Sequence, residues 1–512
     1  LWEGLLAATF GSLALAAFLA AAVTLFVSFA YGAGLNRPAA AVLLSCLPGL
    51  GERQSLSHCL REGRLSAPFL FGFCGLLPDR FGDGGAGCPH RFLPLLFGIP
   101  VGVAGAFLPP PALLPAALGV PVWFLLRAVP ELAILALLLA FPFLPLLPHP
   151  TGILTAGAFL SLAVFGGKWI SGRREIRFCS ADRCAAAFCM AYLLAGGAAG
   201  AASALLAAGG WFAVRSLGSH WRARAAGCLI CSAAVCGCMG ILEYAAGRAA
   251  LRWVDLSRFS DIGGRVCATF GNPNILAVFL LAAFPVALCG AGRFRRRAAR
   301  LWSGIGAGCI ALCTVLTWSR GAWLGMLAEG VLFLLLFSRE SMAVLICLPL
   351  PSAACLPLLP GNVLRRFASI ADPAESSVRY RLEVWRGVLR MAAANPFGVG
   401  VPEADFRRAW QLFALPGTET VMHVHALLPQ VALETGMAGA AVLAVFLLCT
   451  VRAFRPSGWS VGGLAALTGL LVMGLFDHIW YARGMLWLFF AVAALVPAGK
   501  EGETHEDTLE WD

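Results

Sequence analysis

Charge is what this sequence has least of. Only 13% of its 512 residues are charged, against about 25% in an average soluble domain. Hydrophobic residues make up 59%, and mean hydropathy is +0.81. So little polar surface cannot cover a water-soluble globule of this size. The same figures exclude a disordered chain, which needs low hydrophobicity and high charge. Lysine is nearly absent, with only Lys168 and Lys500, so arginine carries the net charge of +11. The arginines stand in short clusters between apolar runs, as the positive-inside rule requires, and form no continuous basic face. No nucleic-acid partner is expected. Also missing are the Gly-x-x-x-x-Gly-Lys-Ser/Thr loop for ATP and an Asp-x-Asp pair for a metal-bound nucleotide sugar. Eighteen cysteines lie mostly in apolar segments, where a thiol behaves as a small hydrophobe. Cys228-x-x-Cys231 has no second pair to complete a zinc site and reads as packing.

What is present is a series of apolar runs near the ~20 residues a spanning helix needs. The first, 5–30, has no basic residue before it and reads as a retained helix. A Gly-rich polar stretch follows at 36–91, then Pro-punctuated runs at 93–108, 112–126, 132–147 and 153–166. Residues 185–214, broken by Gly-Gly-Ala-Ala-Gly between two basic clusters, predict a hairpin of two short helices. Further runs occupy 225–242, 274–290, 303–318, 323–337, 342–359, 437–451, 461–476 and 485–496. Arg293, Arg295, Arg296, Arg297 and Arg300 give the strongest cytoplasmic signal. Alternation from that anchor predicts an all-α polytopic protein of about 12–14 spans in the cytoplasmic membrane. Residues 361–434 become one long extracytoplasmic loop, and the acidic tail 499–512 remains inside. The mixed-charge loop 243–271, Arg320, the long loop and Asp477–Arg483 then share the outer face.

Several residues on that face can do chemistry. Ser377–Met391 has helical spacing, with Leu382, Trp385, Val388 and Leu389 apolar and Arg379, Arg386 and Arg390 on other faces. It reads as a helix lying on the bilayer, apolar side down. His423-Val-His425 precedes Gln430 and Glu434, and His478 follows Asp477. An imidazole titrates near ~6.5 and can accept a hydroxyl proton. The two histidines show no third ligand in sequence, and no metal is expected. Arg320, between two apolar runs, is either a snorkelling interfacial residue or a phosphate clamp, since guanidinium pairs bidentately with phosphate. Asn272 suits a helix N-cap, with Pro273 at the first turn and Asn274 after it. Capping alone explains this motif; an anion at that helix end is the alternative.

Taken in order, four pieces resemble the O-antigen ligase family of membrane glycosyltransferases and its polymerase relatives. They are Gly271-Asn-Pro-Asn-Ile-Leu-Ala277, Ser319-Arg-Gly-Ala322, Arg381-Leu-Glu-Val-Trp385 with Asn395-Pro-Phe-Gly-Val-Gly400, and His423-Val-His425 with Gln430 and Glu434-x-Gly436. Ala426 and Pro429 depart from the family pattern, which has Asn or Ser and then Leu. The resemblance implies a GT-C-like helical fold and a ligase-like core at 269–451, between an N-terminal membrane region (1–268) and C-terminal helices (452–498). It implies glycan transfer from an undecaprenyl diphosphate carrier to an acceptor hydroxyl, without metal or cofactor. By position, Arg320 and Arg381, with Arg379 nearby, would hold the diphosphate and His425 would be the base. His423, Gln430, Glu434, Asn272, Asn274, Asp477 and His478 would support them. A polymerase acting on a second lipid-linked glycan, and a transporter of small anions or lipid-linked sugars, are the alternative readings.

Overall fold

A backbone in hydrocarbon must satisfy its own N–H and C=O groups, which favours helices. Among the described residues the chain is helical, and its only extended pairings are single bridges, Ala250 with Arg265 and Phe454 with Pro497. The computed structural model describes residues 131–170, 178–250, 264–347, 361–369, 376–401, 403–456 and 459–497. The runs expected at 5–30, 93–108 and 112–126, the stretch 36–91 and the acidic tail lie outside them. The chain divides into units 1–132 and 133–512, and only Glu131 and Leu132 of the first are described.

The helices are α1 (Glu131–Ala140), α2 (Pro150–Ile170), α3 (Ser180–Leu194), α4 (Gly197–Arg215), α5 (Ser219–Ala245), α6 (Pro273–Arg293), α7 (Arg297–Leu316) and α8 (Arg320–Phe337). They continue as α9 (Arg339–Cys347), α10 (Gly361–Ala368), α11 (Ser376–Ala394), α12 (Glu403–Trp410), α13 (Leu427–Arg452), α14 (Ser460–Gly474) and α15 (Gly484–Ala493). Six of them, α4–α8 and α13, are long and apolar enough to cross a membrane. The protein is an all-α polytopic membrane protein. The expected hairpin is present as α3 and α4, broken where Gly196 and Gly197 take φ of 96° and 67°. Of the run 342–359, only the part up to Cys347 is described.

One expectation is corrected. A helical stretch begins at Leu427 and breaks at Gly436, whose φ is 78°; the helix expected from 437 follows that break, so the outer loop ends earlier than 434. Gln430 and Glu434 made this turn look like loop, but they sit one turn apart and are buried. In α11, Val384, Val388 and Met391 are the buried residues, while Leu382 and Leu389 are 45% and 72% exposed. The helix turns Leu382 and Leu389 outward and Val384, Val388 and Met391 inward. It packs on a small core of its own loop, with Phe406, Trp410, Val421, Val424 and Leu433.

Helix α6 is the central element, buried on nearly every side against α5, α7, α8, α14 and α15. Close helix approach is made by small residues, as where a Cβ on Gly469 of α14 would run into Glu329 of α8. Because α6 and α7 are antiparallel neighbours, Asn272 and Thr317 share one end of the bundle and Arg293–Arg300 the other. Helix α14 brings the turn containing Asp477 to the Asn272 end, where Asn274 meets it.

Candidate active site

The site is built around a pinned backbone. Val424 is fully buried; its N–H donates to Gln430 Oε1 at 2.9 Å, and its carbonyl accepts from Trp385 Nε1 at 3.1 Å. With the middle residue turned inward, His423 and His425 are displayed together, ring centroids 4.3 Å apart. His425 takes φ of 54°, a left-handed conformation that L side chains with a Cβ seldom adopt. Such a conformation persists only where its surroundings over-determine it, and is commonest at functional sites.

Both rings face Asp477. His425 Nδ1 lies 3.3 Å and His423 Nε2 3.5 Å from Asp477 Oδ1. The His478 N–H donates to the same oxygen at 2.9 Å, and Asn274 Nδ2 to Oδ2 at 2.7 Å. Burial opposes the charge on Asp477. Hydrogen bonds and attraction from His423 and His425 outweigh it and hold the carboxyl well below the usual range. A carboxylate accepting from His425 Nδ1 leaves Nε2 as the basic nitrogen. His478 is buried, with neither ring nitrogen hydrogen-bonded, and burial drives its imidazole well below the usual histidine range.

A second network holds the other side of the segment. Gln430, whose oxygen accepts from Val424, donates from Nε2 to Glu434 Oε1 at 3.1 Å. Glu434 accepts from Arg483 at 2.8 and 3.1 Å and from Tyr192 Oη at 2.9 Å. Glu434 therefore steadies the histidines through backbone, not through their rings. Beside it two chain segments cross: Gly398 and Gly436 have φ of 86° and 78°, and a Cβ on Gly436 would lie 2.8 Å from the Phe397 carbonyl carbon. Only glycine fits there. Pro429 falls in the first turn of α13, where a missing N–H removes no intrahelical bond.

The arginines separate into two groups. Arg320 donates from Nη1 to the Ser369 carbonyl at 2.9 Å and to Ser369 Oγ at 3.1 Å, joining the start of α8 to α10. Arg265 lies close enough to Arg320 and Arg366 for their charges to repel it; burial adds the larger effect and pulls it down to about 9. Arg381 is half-buried on α11. Arg379 is apart, its side chain 76% exposed and paired with Glu383 at 3.4 Å. Asn272 is a true N-cap, its oxygen accepting from the backbone N–H of Asn274 and Ile275.

Residues 305–444 match the family model described as O-antigen ligase. This segment is similar to the O-antigen ligase family. The family implies a membrane glycosyltransferase-like enzyme with lipid-linked glycan substrates. No curated protein matches the chain.

The ligase segment holds Arg320, Arg381, His423, His425, Gln430 and Glu434, whereas Asn272, Asn274, Asp477 and His478 come from outside it. The fold unites the two sets. It also corrects the view that the histidine pair has no third metal ligand: ligand atoms of His423, His425 and Asp477 lie within 4.8 Å of one another, which suits a divalent cation. The carboxylate is 52 residues from His425 and invisible to local spacing. Reasoning from sequence also missed Arg265, Arg483 and Tyr192. Arg265 had a signal as the last charge before the Gly271-Asn-Pro-Asn motif, and Arg483 as the end of the outer-face segment Asp477–Arg483.

Proposed function

We propose that this O-antigen-ligase-type protein moves a glycan from an undecaprenyl diphosphate carrier to an acceptor hydroxyl at the outer face of a bacterial cytoplasmic membrane. The observation that carries the proposal is the His425–Asp477 pair, 3.3 Å apart, at the bundle end that also carries Arg320, Arg366 and Arg381. That end lies opposite the Arg293–Arg300 cluster, which by the positive-inside rule supports reading it as the outer end.

Each part has one task. His425 Nε2 takes the proton of the acceptor hydroxyl, and Asp477 steadies the imidazolium through Nδ1. The acceptor oxygen bonds to the anomeric carbon as the bond from that carbon to the carrier phosphate breaks. The electron pair leaves with the diphosphate, whose growing charge is met by Arg320, Arg366 and Arg381. Direct displacement inverts the anomeric centre. With guanidinium groups on the leaving group, the reaction needs no metal. A cation held by His423, His425 and Asp477 would instead engage the pair that orients the base, and would inhibit.

The test is reconstitution in lipid with a lipid-linked glycan and a candidate acceptor, following glycan transfer and release of free carrier diphosphate together. The proposal expects equal amounts of both, unchanged by a chelator and suppressed by added zinc. Loss of activity on chelation would overturn the metal-free mechanism. Movement of intact lipid-linked glycan across the bilayer without cleavage would overturn transfer itself.

A further inference from the structure

Arg265 lies outside the family segment, yet a continuous chain of polar contacts joins it to His425. Its guanidinium is forked between two acceptors: Nε donates to the Thr317 carbonyl at 2.7 Å and Nη2 to Asn274 Oδ1 at 2.7 Å. A guanidinium can only donate. Engaging the oxygen of Asn274 therefore decides which way its amide faces, and sends the NH2 group toward Asp477, reached at 2.7 Å. The other oxygen of Asp477 faces His425 Nδ1. The start of the chain is also fixed in place. Arg265 is bridged to Ala250 by backbone hydrogen bonds of 2.9 and 3.2 Å, and Thr317 closes α7. Helix α6 does not use the Asn274 side chain as a cap, because Asn272 fills that position.

We infer that Arg265 and Asn274 are a positioning pair for the base. Arg265 sets the amide of Asn274, and Asn274 holds Asp477 in the orientation that aims His425. Neither touches the hydroxyl. The inference rests on the reading of His425 as base and adds to it the source of that base's orientation. Lysine does not replace Arg265, since one ammonium does not reproduce a planar fork across Thr317 and Asn274.

The experiment is a double-mutant cycle on the full chain reconstituted in lipid, with glycan transfer as the readout. Asn274→Ala and Arg265→Gln are each expected to lower kcat by about 10-fold or more, with KM for the lipid-linked glycan changed less than about 3-fold. In an Asp477→Ala background, either change is expected to lower the residual kcat by less than about 2-fold, because groups acting through one member are not additive. Arg265→Lys is expected to recover only part of the loss. Should Arg265→Gln fail to insert, Asn274→Ala carries the cycle alone, because the Asn272 cap remains. Full additivity with Asp477→Ala would overturn the inference and leave the pair as ordinary scaffold. Parental turnover by His425→Ala would remove the base itself, and the inference with it; additivity alongside an inactive His425→Ala would remove the inference only.

Discussion

Arg483 grips both oxygens of Glu434, Nη2 on Oε1 at 2.8 Å and Nη1 on Oε2 at 3.1 Å, at the mouth of the bundle. The carboxylate is almost wholly buried, so the guanidinium is what makes its charge tolerable. Removing one partner of such a pair is worth about 3–5 kcal/mol. Arg483→Met should therefore lower the thermal unfolding midpoint in detergent sharply. Adding Glu434→Gln should restore part of the loss, because no buried charge is then left alone. A double variant no better than Arg483→Met would contradict this.

Trp385 gives a finer test of the pinned segment. Its indole N–H to the Val424 carbonyl, 3.1 Å, is one of two bonds holding the segment's middle residue. Trp385→Phe keeps most of the apolar surface and deletes the donor, a net loss of about 0.5–1.5 kcal/mol. The effect should fall on kcat more than on KM for the lipid-linked glycan, since the histidines are loosened and the arginines untouched. Steady-state kinetics of glycan transfer decide it, and a change confined to KM would speak against the pin.

How much of this was visible beforehand varies with range along the chain. The helices of the second half follow from apolar runs and arginine clusters, because burial in lipid is written locally in composition. Where a polar residue serves a buried network, the pattern misleads: Gln430 and Glu434 made the first turn of α13 read as loop. In α11 the apolar residues divide between two faces: Leu382 and Leu389 point outward, and the loop's own core takes Val384, Val388 and Met391. His425 and Arg320 stand in local motifs, which is why the sequence singles them out. The roles of Arg483 and of the metal-like set at Asp477 depend on contacts across tens of residues, for which spacing holds no signal.

Acid should weaken the fold in two separable steps. His478 has its folded pKa driven well below 6.5 by burial, with His423 and Arg483 adding repulsion. As pH falls through about 6.5, the unfolded chain takes a proton that the folded chain refuses, so stability is present above that pH and declines below it. Asp477 is also depressed, from an ordinary value near 3.8, so its contribution is lost only under stronger acid. Melting midpoints measured from pH 8 to pH 4 should hold to about pH 7 and then drop. His478→Asn should flatten the decline between about pH 7 and pH 5. An unchanged slope in that variant would assign the decline elsewhere.

The central claim is that His425 takes the acceptor proton, and a single-turnover experiment on preloaded protein tests it most directly. With lipid-linked glycan bound and acceptor added, His425→Ala should slow transfer by about 10²–10⁴-fold. Binding of the carrier should stay close to parental, because the arginines that meet the diphosphate are intact. Transfer by a folded, inserted His425→Ala protein at the parental single-turnover rate would contradict the account.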